Sequence, residues 1–165
     1  MSQRARRWRW WSPMAVLVTV LVAGACGDGS AGRVALPGFG QTAYRVERGT
    51  ETAMTGCALL ATTSEQQMRG LMNVRDLKGY DGMIFQFPAD TSVGFYMKDT
   101  PMALSIAWFD GAGRFVSSAD MAPNREEPTY FATGPYRYAF EVPQGKLGAT
   151  GVGPGSTLVV GGACT

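Results

Sequence analysis

Histidine is missing from the 165-residue sequence, and cysteine occurs only three times. Without an imidazole, the chain holds no Ser-His-Asp or Cys-His catalytic arrangement and offers no histidine to zinc. A thiol nucleophile would lack the base that activates it, so no catalytic cysteine is expected. No apolar run reaches the ~20 residues that a transmembrane helix needs. No motif for a cofactor or a metal stands out, and we expect neither.

The first 26 residues have the layout of a secretory signal. Four arginines lie before residue 10, and an uncharged apolar run follows them. The run ends in Val22-Ala23-Gly24-Ala25-Cys26. Small residues directly before a cysteine resemble the lipobox of bacterial lipoproteins. We expect residues 1–25 to be a signal peptide that is removed and Cys26 to carry the lipid.

Loss of the signal peptide changes the charge of the chain. The whole sequence has 15 Lys+Arg and 13 Asp+Glu, and residues 1–25 contain four arginines and no acidic residue. The remaining chain has 11 basic and 13 acidic residues, a net charge of −2, so nothing favours nucleic-acid binding. The expected location is the extracytoplasmic side of a cell membrane, where acyl chains anchor the protein. The expected partners are that membrane and an envelope glycan or peptide.

Composition divides the rest of the chain into two parts. Residues 26–41 are rich in Gly, Ala and Ser, which is typical of a flexible tether. Residues 42–165 have the length of one domain. Glycine-rich turns between short alternating segments favour strands over long helices. We therefore expect a mainly β fold with a minor α+β character, a compact β-barrel or sandwich-like domain.

Local patterns predict one helix and several strands. Thr63 and Gln66 have the spacing of a capping box, and Gly70 suits a C-terminal cap, which predicts a short helix near residues 64–69. Asp110-Gly111-Ala112-Gly113 has the composition of a hairpin turn. Alternating apolar residues predict strands at residues 83–87, 104–108, 114–118, 136–142 and 157–160.

The strand expected at residues 136–142 alternates most clearly. Its core-facing side should carry Tyr136, Tyr138, Phe140 and Val142, and its other side Arg137, Ala139 and Glu141. Glu141 lies between two apolar residues, so we expect partial burial and a charged partner. Lys98 and Arg137 are the candidate partners, and arginine is the better one because its guanidinium binds a carboxylate through two hydrogen bonds.

Two cysteines remain once Cys26 is assigned to the lipid. Cys57 and Cys164 lie near the two ends of the predicted domain. An even pair in an oxidising compartment favours a disulfide. The alternative is a pair of buried thiols.

The residues from Phe95 to Thr100 form the densest mixture of polar and aromatic side chains. A Ser-Lys dyad of Ser105 and Lys98 and a carboxylate pair of Asp99 and Glu141 are formal possibilities, but ordinary surface charges explain the same residues. No residue is assigned a catalytic role. The candidate ligand-binding residues are Tyr96, Lys98, Asp99, Arg137 and Glu141.

Several segments in series resemble the family named "domain of unknown function 192". They are Gly70-Leu71-Met72, Gly82-Met83-Ile84-Phe85, Phe95-Tyr96-Met97-Lys98-Asp99-Thr100, Tyr138-Ala139-Phe140-Glu141-Val142 and Gly151-Val152-Gly153. The family pattern differs where this chain has Val74, Tyr96, Asp99, Ala103 and Ser105. The resemblance implies a compact, mainly β domain that is often exported. It implies no established activity.

The leading functional hypothesis is a lipid-anchored binding or accessory domain of the cell envelope. A rigid β platform with binding residues in its loops suits that role. Two alternatives stay open: a carboxylate-based hydrolase acting on envelope glycans, and a purely structural envelope protein.

Overall fold

Residues 32–165 are described by a computed structural model. The predicted signal peptide and Cys26 lie outside these residues. The described part contains nine strands, one α-helix and one 3₁₀ turn. In chain order these are β1 (Gly40–Arg48), β2 (Glu51–Ala61), α1 (Ser64–Arg69), β3 (Met83–Thr91), β4 (Phe95–Met97), β5 (Leu104–Phe109), β6 (Phe115–Met121), β7 (Arg125–Tyr130), β8 (Tyr136–Pro143), the 3₁₀ turn (Gly148–Thr150) and β9 (Ser156–Val160).

Seven strands form one sheet in the order β6-β5-β8-β3-β2-β1-β9, and β4 pairs with β7 in a second, small sheet. In the large sheet β2 and β3 run parallel, and the other neighbours run antiparallel. The two edges approach each other at a single bridge between Arg114 and Thr157, where the Leu158 N–H donates to the Gly113 carbonyl over 2.8 Å. One bridge does not close a barrel, so the fold is sandwich-like. The prediction of a mainly β domain is confirmed.

Both faces of the large sheet are covered. The larger core contains Leu104, Ile106 and Trp108 of β5 together with Met83 and Phe85 of β3. The smaller core contains the intervening β5 residues and residues of β1, β8 and β9, among them Ala107, Phe109, Tyr44, Phe140 and Leu158. All six residues of β5 are therefore buried. This explains why the strand reads as a continuous apolar run, as a strand covered on both faces does.

Strand β8 follows the predicted alternation except at its first residue. Phe140 and Val142 lie in the smaller core, whereas Ala139 lies in the larger one. Tyr136 was expected beside Phe140, but it packs in the larger core. The pairing of β8 with β3 shifts register between Gln86 and Thr91, and such a shift moves a side chain to the opposite face.

Replacing Phe140 by alanine should lower the free energy of unfolding by roughly 3–5 kcal/mol, because the site cannot collapse around the missing ring. Phe140 is fully buried, and its ring centroid lies 4.8 Å from that of Tyr44. Tyr138→Ala is the comparison, since Tyr138 is only half-buried on the same strand. Urea unfolding followed by circular dichroism measures both. Equal losses would contradict this description of β8.

Helix α1 has the predicted bounds and caps. The Gln66 N–H donates to the Thr63 hydroxyl over 3.2 Å, and the Thr63 N–H donates to the Gln66 side-chain oxygen over 3.1 Å. Gly70 ends the helix with a φ of +46°, a region that favours glycine. No helix within residues 32–165 is long and apolar enough to cross a membrane.

The predicted tether extends too far into the chain. Strand β1 already begins at Gly40, and Leu36 and Phe39 pack against the larger core. The Val34 N–H donates to the Lys78 carbonyl over 3.0 Å. The abundance of small residues in residues 26–41 concealed these apolar anchors. The part of the predicted tether before residue 32 lies outside the described residues.

The predicted disulfide between Cys57 and Cys164 is confirmed. The two residues are 107 positions apart in sequence, and their Cα atoms lie 5.5 Å apart. The bond joins β2 to the segment after β9, so it links the beginning and the end of the domain.

Candidate functional site

A cavity of about 250 Å³ opens beside α1, and we name it the apolar pocket. Its lining comes from α1 and the turn after it, from β3, from the segment that enters β4, and from β8. The lining residues are Ser64, Gln67, Met68, Arg69, Gly70, Leu71, Met72, Phe85, Phe87, Val93, Gly94, Phe95, Tyr96, Thr100 and Glu141.

Helix α1 forms one wall because it is fixed to β3. The Gln67 side-chain amide donates to the Gln86 carbonyl over 2.9 Å. Gly70 lies so close to Phe85 that a Cβ at this position would be 3.4 Å from the ring. The end of the helix therefore lies directly over Phe85 of β3.

Aromatic rings form the opposite wall. Phe85 and Phe95 meet edge to face with ring centroids 5.1 Å apart, and Phe87 meets Tyr136 in the same way at 5.5 Å. The Tyr136 hydroxyl donates to the Val93 carbonyl over 2.6 Å. This bond ties β8 to the segment before β4 and so holds the aromatic wall in place.

Glu141 is the buried titratable group of the apolar pocket. On β8 it lies across from Met83 of β3 and Ile106 of β5, both fully buried. Within residues 32–165 no donor forms a hydrogen bond or an ion pair with its carboxyl group. Burial raises the pKa of Glu141 from its ordinary 4.5 to about 8, because a carboxylate loses its hydration there. The carboxyl group is therefore mainly protonated at neutral pH.

Gly82 allows the chain to approach Glu141. A Cβ on Gly82 would collide with the Glu141 carbonyl oxygen. The Gly82 carbonyl accepts a hydrogen bond of 2.9 Å from the Leu59 N–H. A larger residue at position 82 would push the start of β3 away from the backbone of β8 at Glu141.

The structure places two of the five predicted site residues, Tyr96 and Glu141, in the apolar pocket. Lys98 instead pairs with Glu126 over 2.7 Å, and Arg137 pairs with Asp90 over 2.9 Å. The expectation that either cation pairs with Glu141 is wrong. Each cation finds a carboxylate at the exposed surface, where both charges keep their hydration.

Asp99 does not line the apolar pocket, so it does not join Glu141 as a second carboxylate there. It adopts a φ of +51°, and its carbonyl accepts from the Asn73 N–H over 2.7 Å. The Ser105 hydroxyl donates to Asp120. Since Lys98 is held by Glu126, the Ser-Lys dyad is not formed.

The sequence did not single out the apolar rim of the pocket. Three lining residues are large, hydrophobic and exposed: Met68 at 65%, Val93 at 51% and Tyr96 at 41%. Exposed Phe131 lies beside them, against Gly94. Among residues 32–165 only Val34 is comparably apolar and exposed elsewhere. Clusters of exposed apolar side chains mark binding surfaces.

A second cavity of about 430 Å³ is polar and lies beside the disulfide. The Asp81 carboxylate accepts from the Cys57 N–H over 2.9 Å. Burial raises the pKa of Tyr44, and the nearby Asp81 raises it further. Arg33 donates to the Thr165 carbonyl, and Arg45 donates to Glu47. The charged side chains that line this second cavity therefore have protein partners. Glu141 of the apolar pocket has none among the described residues. No group of three metal-ligating side chains exists within the described residues.

Residues 46–160 match the family described as "Uncharacterized ACR", DUF192. The chain belongs to this family. The match confirms the resemblance found in the sequence. A search among curated proteins gives no match.

Solved structures share the fold of this DUF192 member. One, from Sinorhizobium meliloti 1021 and provisionally described as a transcription regulator, has a TM-score of 0.67 and 24% identity, covering 74% of this chain and 95% of that chain. Another, a protein of unknown function from Novosphingobium aromaticivorans DSM 12444, has a TM-score of 0.64 and 24% identity, covering 79% and 94%. At this identity the similarity establishes the fold alone.

Four of the segments that resemble the family meet at the apolar pocket. They are separated in sequence but contribute eight of its lining residues: Gly70, Leu71, Met72, Phe85, Phe95, Tyr96, Thr100 and Glu141. The cavity is therefore built from the parts of the chain that carry the family resemblance.

Proposed function

We propose that this protein is a lipid-anchored, extracytoplasmic binding module whose apolar pocket takes a small, largely apolar ligand. The observation that carries the proposal is the convergence of the four family segments around Glu141, a buried carboxyl group with no partner among the described residues. A concave, mainly apolar cavity with one oriented polar group is the usual form of a small-molecule site.

The size of the pocket limits the ligand. Its volume of about 250 Å³ equals the share of liquid volume of about eight water molecules. Burial of apolar ligand surface supplies the affinity, at about 25 cal/mol per Å². The exposed rim of Met68, Val93 and Tyr96 adds apolar contact area at the mouth.

Binding is favoured over glycan hydrolysis because Glu141 is the only carboxylate among the described lining residues. Hydrolysis of this kind uses two carboxyl groups on either side of the scissile bond. Binding is also favoured over a purely structural role. A buried carboxyl group without a partner lowers the stability of the fold, and a structural domain would gain from an apolar residue at this position.

The ligand site can be tested by closing its mouth. A panel of small apolar probes with alcohol, amide, acid and amine heads is added to the full-length Cys26→Ser chain, and methionine methyl NMR signals are followed. We expect probes that bind to shift the Met68 and Met72 signals. In Met68→Trp the Met72 shift should be lost because the larger ring fills the mouth.

Val34→Trp is the matched control, since Val34 is 60% exposed and lies outside the pocket lining. This variant should keep all binding. The proposed site would be refuted if no probe shifted the Met68 and Met72 signals. It would also be refuted if Met68→Trp bound the probes as the wild type does.

The location of the module rests on the lipobox-like sequence before Cys26. Mass spectrometry of the membrane fraction should find an acylated N-terminal Cys26. The Cys26→Ser variant should appear in the soluble fraction because its anchor is gone. An intact Met1, or unmodified Cys26 in soluble wild-type protein, would contradict the anchoring proposal.

A further inference from the structure

We propose that the ligand of the apolar pocket is a small organic cation, an ammonium group on an apolar body, whose charge pairs with Glu141. This inference rests on the proposed function. It names the chemical class of the ligand, which the family description leaves open.

The first argument is that the Glu141 carboxyl group lacks a hydrogen-bond donor among the described residues. Its residue is 5% exposed, its side chain lines the pocket, and the described residues supply it with no hydrogen-bond donor. Both surface cations that could have served it are paired elsewhere, Lys98 with Glu126 and Arg137 with Asp90. A donor that reaches this carboxyl group can therefore come from a ligand.

The second argument is the aromatic lining. Phe85, Phe87, Phe95 and Tyr96 all contribute to the pocket. The faces of such rings carry partial negative charge and attract cations, most strongly where water is excluded. Aromatic rings around one carboxyl group form an environment that suits an ammonium ion and opposes an anion.

The third argument is that three other polar lining residues, Gln67, Arg69 and Thr100, already have partners within the protein. The Thr100 hydroxyl donates to the Lys98 carbonyl, and the Gln67 amide donates to the Gln86 carbonyl. Arg69 is the one cation among the described lining residues. Its guanidinium donates to the Pro37 carbonyl and lies 4.1 Å from the centre of the Phe39 ring. These contacts direct the polar groups of Gln67, Arg69 and Thr100 toward protein partners.

Binding of such a cation releases a proton. An alkylammonium has a pKa close to that of lysine, ~10.4, so it enters with its proton attached. The Glu141 carboxyl group loses its proton to solvent, and an ion pair forms inside the pocket. Among the described lining residues, the charged groups are then Glu141 and Arg69, together with the ligand itself. Affinity should rise with pH until the pKa of Glu141 is passed.

The test compares three probes that share one apolar body: hexylammonium, hexanol and hexanoate. Calorimetry with the full-length Cys26→Ser chain is performed at pH 6 and pH 8. We expect hexylammonium to bind at pH 8 about tenfold more tightly than hexanol, and to weaken on the order of tenfold per pH unit below pH 8. Hexanol should vary little over this range.

Two variants locate the effect. Glu141→Gln keeps the shape of the side chain but removes the charge, so it should abolish the preference for hexylammonium over hexanol. Glu126→Gln removes an exposed carboxylate outside the pocket lining, and it should change none of the three affinities.

Each outcome decides the inference. If hexanol or hexanoate bound at pH 8 as tightly as hexylammonium or more tightly, the inference that the ligand is a cation would be wrong. The proposed binding module would remain supported. Binding of hexylammonium that persists in Glu141→Gln would also overturn the inference of a cationic ligand. If none of the three probes binds the pocket, both the inference of a cationic ligand and the proposed function are wrong.

Discussion

Glu141→Gln should make the protein more stable at alkaline pH. Burial raises the pKa of Glu141 from 4.5 to about 8 in the folded chain, whereas the unfolded chain has the ordinary value. The folded state therefore holds a proton that the unfolded state loses, and stability present below pH 4.5 is lost as the pH rises to about 8. The loss is on the order of 3–5 kcal/mol, since each pKa unit corresponds to ~1.4 kcal/mol.

Chemical denaturation at several pH values measures this effect. Glu141→Gln should match the wild type near pH 4.5 and exceed it at pH 8.5, because glutamine has no charge to bury. Glu126→Gln is the control, since Glu126 is exposed beside Lys98, and it should keep the wild-type pH dependence. An identical pH dependence in Glu141→Gln and the wild type would show that the carboxyl group is hydrated.

Removing the disulfide should destabilise the fold by a similar amount. Cys57 and Cys164 close a loop of 107 residues, and in the chain-entropy model such a loop contributes up to ~4–5 kcal/mol by restricting the unfolded chain. The Cys57→Ala, Cys164→Ala double variant should therefore melt roughly 10–20 °C lower, at ~4 °C per kcal/mol. Calorimetry of the oxidised wild type and the double variant provides the comparison.

Cys26→Ser separates this effect from the loss of a cysteine that lies outside the disulfide. It leaves the bond between Cys57 and Cys164 intact and should melt as the wild type does. Two free thiols in protein isolated from its native compartment, or an unchanged melting temperature in the double variant, would contradict a stabilising disulfide.

Local signals in the sequence predicted local structure well. The capping box of Thr63 and Gln66 gave α1 its bounds, because both partners of the cap lie within one turn. The turn at residues 110–113 gave the β5–β6 hairpin, in which the Gly113 N–H donates to the Asp110 carbonyl. The disulfide was predicted from the expected oxidising compartment and from the number of cysteines. Neither argument required knowledge of the fold.

Contacts between distant segments could not be predicted in the same way. The small β4–β7 sheet depends on pairing between segments that are distant in sequence. Strand β7 contains three charged residues and a proline, so its sequence does not have the pattern of a strand. The same pairing brings Glu126 to Lys98 and so removes the partner expected for Glu141. The sequence shows that Glu141 is ionisable. It does not show that Glu126 and Asp90 take the two cations, Lys98 and Arg137, that were expected to pair with it.

The apolar pocket shows the same limit. Tyr96 and Glu141 were singled out in the sequence as aromatic and charged residues, whereas Met68 and Val93 were not. Only their exposure at a common rim distinguishes them. The family segments contained much of the site, yet nothing in their spacing placed Gly70 beside Phe85.

Glu141 is buried in the apolar pocket without a partner among residues 32–165. The most direct test of this description is an NMR titration of the Glu141 side-chain ¹³C signal, assigned by its loss in Glu141→Gln. Burial predicts a midpoint for the Glu141 titration at about pH 8, well above its ordinary pKa of 4.5. A midpoint near the ordinary 4.5 would mean that water or a protein donor reaches the carboxylate, and it would contradict the account of the site.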